Sequence, residues 1–150
     1  MNHTIEKISF DEILPIWRDH LWPNRTSPIE SNSAMVYLNG SYDMFNMTTN
    51  PTFFAYKIDG KIAGVNSGHL CNSGHYRSRG LYVFEEFRGL GIGKKLLLAT
   101  IEQGRKENAV ICWSYPRDTS WETYNSAGFE LATKFVPSET GTNAYCVYRY

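Results

Sequence analysis

Leu81-Tyr82-Val83-Phe84-Glu85-Glu86-Phe87-Arg88-Gly89-Leu90-Gly91-Ile92-Gly93-Lys94-Lys95 runs from an apolar, strand-like stretch through a cluster of glycines into a lysine pair. Behind it, Gly91 to Asn108 sets Ile92, Leu96, Leu97, Leu98, Ala99 and Ile101 inward and Lys94, Lys95, Gln103, Arg105 and Lys106 outward, the pattern of an amphipathic helix. A strand that turns through glycines into a helix aims unpaired backbone N–H groups and the positive end of the helix dipole at one spot, where phosphate is the natural occupant. Two familiar phosphate loops fail on spacing. A Walker A loop ending at Gly93-Lys94 needs glycine where Arg88 stands and Ser or Thr where Lys95 stands. A dinucleotide fingerprint starting at Gly89 or Gly91 needs a third glycine where Lys94 or Leu96 stands.

Outward from this loop the chain alternates elements. Phe53 to Ile58 and Lys61 to Leu70 flank Asp59-Gly60, a strong signal for a hairpin with a primed turn. Tyr76 to Phe84 is a third strand, joined to the hairpin by the turn-like Cys71-Asn72-Ser73-Gly74. Ala109 to Tyr115, a continuous apolar run, reads as a strand covered on both faces, and the long crossover from Tyr76–Phe84 implies a parallel pair. Thr119 to Ala127 reads as a short helix capped by Asp118 or Thr119 and ended by Gly128. Phe129 to Val136 and Asn143 to Tyr150 then form a hairpin around residues 137–141. At the other end, Thr4 to Ser9 alternates as a short strand, and Glu12 to Trp22 forms a helix capped by Asp11, with Pro15 in its first turn and Pro23 closing it. Asn24 to Asn50 is rich in Ser, Asn and Thr but studded with aromatics and Met, and reads as a partly helical lid or a second short packing helix.

A chain of 150 residues that is 42% hydrophobic and 15% aromatic supplies one core, so residues 1–150 are expected to form a single domain. Fifteen basic and fifteen acidic residues cancel, which argues against a nucleic-acid partner. The charge is uneven: 4 basic and 7 acidic groups in residues 1–60, 8 and 3 in residues 61–106, and 3 and 5 in residues 107–150. The basic middle contains the glycine loop. Cys71, Cys112 and Cys146 have no metal or dithiol spacing and read as buried free thiols. With no membrane-length apolar run and no signal-like opening, the expected location is cytoplasmic, with no membrane partner.

The residual pattern Arg-x-x-Gly-x-Gly, met by Arg88, Gly91 and Gly93, resembles the GNAT superfamily of acyl-CoA-dependent N-acyltransferases, as does Tyr124-Asn125-Ser126-Ala127-Gly128-Phe129 after the following strand. The resemblance covers about Tyr76 to Val136 closely and residues 1–75 in pattern only. It implies an α/β (α+β) fold: a mixed, mostly antiparallel sheet of about six to seven strands with about four helices, and a parallel strand-helix-strand unit at the cofactor site. It further implies that acetyl-CoA is the cosubstrate, with no metal. Its pyrophosphate would lie on Arg88, Gly89, Leu90, Gly91, Ile92, Gly93 and Lys94, and its thioester against the backbone of Tyr82, Val83 and Phe84. By the same resemblance Tyr124 is the candidate acid for the departing thiolate. Departures stand at Arg117 and Ser120, where the family often has Asn and a small apolar residue, and at Phe84-Glu85 in place of Asp-Pro.

Transfer to an amine also needs a base, because an amine of pKa ~10.4 is neutral only about once in 10³ at pH 7. No carboxylate occupies the incoming strand, and His75, with His69 as a second choice, is the candidate acting through water. The implied activity is transfer of acetyl from acetyl-CoA to a primary amine of a small molecule or peptide. The alternative, motivated by the missing obvious base, is a non-catalytic acyl-CoA sensor or protein-interaction module. Glu30 and Asp43, beside the aromatics of the lid, would suit a small cationic amine, and the final strand offers an edge for a homodimer.

Overall fold

A computed structural model of the chain describes residues 1–32, 50–71, 74–138 and 141–150. Most of the expected lid, residues 33–49 with Asp43, therefore lies outside the described residues, as do parts of the turns at 72–73 and 139–140.

Strand β1 (His3–Ile8) leads into α1 (Phe10–Ile16). The cap is Ser9 and not Asp11: Ser9 Oγ accepts from the Glu12 amide at 3.2 Å while Glu12 Oε1 accepts from the Ser9 amide at 3.1 Å. This reciprocal box satisfies two orphan donors, which Asp11, two residues further on and already inside the helix, cannot do. Pro15 consequently sits near the end of α1, beyond its first turn. The next turn, Trp17–Leu21, widens to π geometry and closes with the Trp22 amide on the Trp17 carbonyl at 2.8 Å.

Strands β2 (Thr52–Ile58) and β3 (Lys61–Leu70) form the expected hairpin, with Asp59 and Gly60 both at positive φ as a primed turn demands. Strand β4 (His75–Val83), α2 (Ile92–Lys106) and β5 (Ile111–Ser114) make the parallel unit; then follow α3 (Trp121–Ser126), β6 (Glu130–Leu131), β7 (Val136–Ser138), β8 (Gly141–Asn143) and β9 (Cys146–Arg149). Seven strands form one sheet in the order β1-β2-β3-β4-β5-β9-β6, antiparallel except for β4 and β5. Helices α2 and α3 cover one face over Tyr76, Leu97, Ile101, Cys112, Phe129 and Cys146, and over Phe54, Tyr56, Ala63, Ile92 and Leu96. On the other face Ile13 and Trp17 of the first helix pack on Phe53, Ala55 and Val65.

Two further expectations are corrected. The last hairpin is not continuous: β6 pairs with β9, whereas β7 and β8 form a separate two-stranded sheet. Between them Thr133 Oγ1 accepts the Tyr145 amide at 2.9 Å, so a side chain takes the place of a ladder carbonyl and the strand bends away. Leu98, expected inward, is 44% exposed, because it shares the outward row of α2 with Lys94 and Glu102.

Candidate active site

The parallel pair of β4 and β5 lasts three residues, His75 to Arg77 against Ile111 to Trp113, and then the strands diverge. Ser114 Oγ bridges the start of the gap by donating to the Ser78 carbonyl at 2.7 Å. Beyond it, β4 is bulged. Val65 pairs with Tyr82 and Ser67 with Arg79, so Gly80 and Leu81 together oppose Asn66. Gly80 has φ +84° and gives its carbonyl to Trp17 Nε1.

Along this opened edge lies a cleft of about 610 Å³. Its floor is Leu81, Tyr82 and Val83; one wall is the glycine loop and first turn of α2, and the other is Ser120, Thr123 and Ser126 with Arg117. Gly91 is the N-cap of α2 at φ +77°, and a Cβ there would meet nothing within 4 Å. The main chain therefore borders open space, with the first-turn N–H groups free of intrahelical partners. Lys94 and Arg88 line the same cleft, Arg88 being tied back by its Nε on the Val83 carbonyl at 2.8 Å with the guanidinium over Tyr82 at 5.5 Å. No Asp or Glu lines the cleft among the described residues. This cradle of glycine backbone, helix N-terminus and two cations fits a pyrophosphate-bearing cosubstrate.

Of the residues expected on the cofactor side, Tyr82, Val83, Arg88, Gly89, Gly91, Ile92, Gly93 and Lys94 line the cleft. Leu90 and Phe84 do not; Leu90 is 57% exposed, and Phe84 packs against His20 at 5.0 Å between ring centroids. Tyr124 lies behind the wall, buried with Leu97, Cys112 and Phe129. Burial raises its phenol above the ordinary range, opposed by a hydrogen bond with the Ser114 side chain. His75 is not brought to the site. It opens β4 at the end away from Val83, about 26 Å by strand rise. His69 is buried on the α1 face, with no hydrogen-bond partner for either ring nitrogen among the described residues. Desolvation, then the charges of Arg77 and Arg79, push it down to about 3.

The residue missed by sequence reasoning is His20, on the π turn, which lines the cleft with its ring 5.7 Å from that of Tyr82. Nothing in the local pattern singles it out; the widened turn and the bulge of β4 bring the two together. Arg117 and Ser120, the departures from the resemblance, both line the cleft as well.

The model of the acetyltransferase (GNAT) family matches residues 14–129. The chain belongs to the GNAT acetyltransferase family. Solved GNAT-like structures share the fold over essentially the whole chain. An acetyltransferase of the GNAT family from Staphylococcus aureus Mu50 is 16% identical at a TM-score of 0.69, with 99% of each chain covered. The ribosomal-protein-S18-alanine N-acetyltransferase from Escherichia coli is 19% identical at 0.66, covering 99% of this chain and 94% of that one. A Bacillus anthracis structure in complex with acetyl coenzyme A is 12% identical at 0.66, covering 100% and 99%. No curated protein matches the sequence. The GNAT sheet, with its single parallel pair and the helices around it, is thus the architecture found here, and the chain is an acyltransferase. Among the described residues no helix is long and apolar enough to cross a membrane.

Proposed function

We propose that this GNAT domain moves an acetyl group from acetyl-CoA to a primary amine. The observation that carries the reading is the opened edge of β4 running into the N-terminus of α2, where Gly89 and Gly91 leave backbone facing open space. Acetyl-CoA supplies the activated thioester as substrate. Arg88, Lys94 and the loop amides hold its phosphates, and the main chain around Tyr82 and Val83 receives the carbonyl oxygen as charge develops on it.

As the C–N bond forms and the C–S bond breaks, the amine must lose a proton and the sulfur must gain one. The ammonium deficit is about 4–5 kcal/mol for an amine of pKa ~10.4 at pH 7. His20 takes this proton in our reading: it is the one imidazole on the cleft wall among the described residues, and no carboxylate competes. Tyr124 supplies the sulfur's proton by turning its hydroxyl from Ser114 into the gap between β4 and β5.

The test is calorimetric titration with acetyl-CoA, followed by thiol release against pooled amino acids, polyamines, aminoglycosides and lysine peptides. Binding with turnover is expected. No binding of acetyl-CoA would overturn the reading, and binding without turnover on any acceptor would favour an acyl-CoA sensor.

A further inference from the structure

We infer that the acceptor is an amine carrying its own carboxylate on an apolar body, held in a second compartment that opens off the cleft between His20 and Arg117. This rests on the acyl-transfer reading and names the acceptor class of that site. The compartment has a volume of about 280 Å³ and shares His20, Leu21 and Arg117 with the cleft. Its remaining walls are Trp22, Pro23, Asn24 and Arg25. The lining thus combines apolar Leu21, Trp22 and Pro23 with cationic Arg25 and Arg117, and no Asp or Glu lines it among the described residues.

Among the described residues the compartment's cations have no ion-pair partner. The ion pairs among the described residues are Arg18 with Asp19, Lys57 with Glu6, Lys61 with Glu86 and Arg105 with Glu102, and none involves Arg25 or Arg117. Arg25 lies over Trp22 at 5.1 Å, tied by Nε to Ser27 Oγ at 2.9 Å and by Nη2 to the Pro28 carbonyl at 3.2 Å. Arg79 covers the same indole at 5.1 Å, buried, with burial and the charges of Arg77 and Arg25 pushing it down to about 9 against the single opposing charge of Glu30. Positive charge has accumulated around Trp22 beyond what the described acidic groups offset.

Arg117 is the side chain placed to use it. Its backbone is pinned by a bridge to Asn143, whose Nδ2 donates to the Tyr115 carbonyl at 2.9 Å. One Nη2 donor holds the Leu21 carbonyl at 2.8 Å. Arg117 lines both cavities, and a guanidinium fork matches a carboxylate in two parallel bonds. Among the described residues, a polycation entering here would meet Arg25 and Arg117 and no lining carboxylate. Lys94 and Arg88 sit by the glycine loop and answer the cosubstrate's phosphates, so the compartment's arginines are left for the acceptor.

The experiment compares an acceptor with its amide, which removes the carboxylate, and with a polycation. Acetylation of methionine, methioninamide and spermidine is followed at saturating acetyl-CoA, in the wild type, Arg117→Gln, Arg117→Lys and Arg25→Gln. The expected result is at least a tenfold higher kcat/KM for methionine than for methioninamide. That ratio should collapse in Arg117→Gln, with acetyl-CoA affinity within twofold of wild type. Equal or better use of methioninamide, or preference for spermidine, would sink the inference and leave acyl transfer standing. Tenfold weaker binding of acetyl-CoA to Arg117→Gln, with binding of dephospho-CoA unaffected, would also sink it, since Arg117 would then serve the cosubstrate's phosphate. Where none of the three amines turns over, calorimetry with N-acetylmethionine and N-acetylmethioninamide decides. Saturable binding of the acid alone, lost in Arg117→Gln, supports the inference; equal binding or none overturns it, whatever acetyl-CoA does.

Discussion

Trp17 donates its indole N–H to the carbonyl oxygen of Gly80 at 2.8 Å, and a Cβ on Gly80 would run into the indole ring. One contact therefore fixes both sides of the cleft: it seats the turn that carries His20 and locks the bulge that opens β4. Gly80→Ala puts a methyl into that ring at a φ of +84°, combining overpacking with backbone strain. The expected loss is about 2–4 kcal/mol, or roughly 5–15 °C in Tm for a chain this long. A thermal melt within 2 °C of wild type, to take about 2 °C as the smallest meaningful change, would show that the bulge relaxes freely.

Gly91→Glu places a carboxylate where a Cβ now meets open space, so its damage falls on binding before folding. The positive φ costs about 1–2 kcal/mol of stability. Calorimetry should find acetyl-CoA affinity reduced by more than about 100-fold, since a fixed negative charge faces the pyrophosphate.

His20→Gln keeps a polar side chain beside Tyr82 and Phe84 but cannot take a proton. Turnover should fall by about 10²-fold while the Kd for acetyl-CoA stays within twofold of wild type, a split that a structural role would not produce. Undiminished turnover would remove His20 from the chemistry.

Tyr124→Phe should lower kcat by about 10²-fold with a stability change of about 1 kcal/mol, the worth of its bond to Ser114. Because burial raises the phenol above its ordinary value, the hydroxyl stays protonated on the alkaline side. Activity profiles of Tyr124→Phe and wild type should accordingly run parallel above pH 8, to name a round value about two units below the ordinary phenol.

His69 gives the fold an acid-sensitive point. Its imidazole titrates near about 3 in the folded chain, depressed by desolvation and by Arg77 and Arg79, against ~6.5 unfolded. Between those values the unfolded chain binds the extra proton, so stability is complete above the unfolded value and falls as pH drops toward the folded one. By pH 5 the wild type should lose about 2 kcal/mol more than His69→Gln, measured by urea unfolding at pH 7 and pH 5.

The strand periodicities, the Asp59-Gly60 turn, the apolar rows of α2 and the Arg88–Gly93 loop were legible because each is a short-range pattern, set by backbone conformation or by spacing along one element. The failures share a cause as well. Asp11 reads as the cap of the first helix, but Ser9 takes that place, because Ser9 and Glu12 three residues on satisfy each other's amides. The break in the last hairpin depends on Thr133 meeting the amide of Tyr145, a partner far along the chain.

The site divides along the same line. The glycine loop lies where its spacing puts it, because a phosphate cradle is made by consecutive residues at one helix end. His75 was chosen for its place on β4, yet strand length carries it to the wrong end, whereas His20 reaches the cleft from an element more than fifty residues earlier. Sequence alone determined the family, most of the order of elements and the glycine loop proposed to hold phosphate. Tertiary structure alone decided which imidazole faces the cleft and which arginines line its side compartment. Those groups come from separate elements, and only the Trp17–Gly80 contact, the bulge in β4 and the pinning of Arg117 by Asn143 bring them within reach of one another.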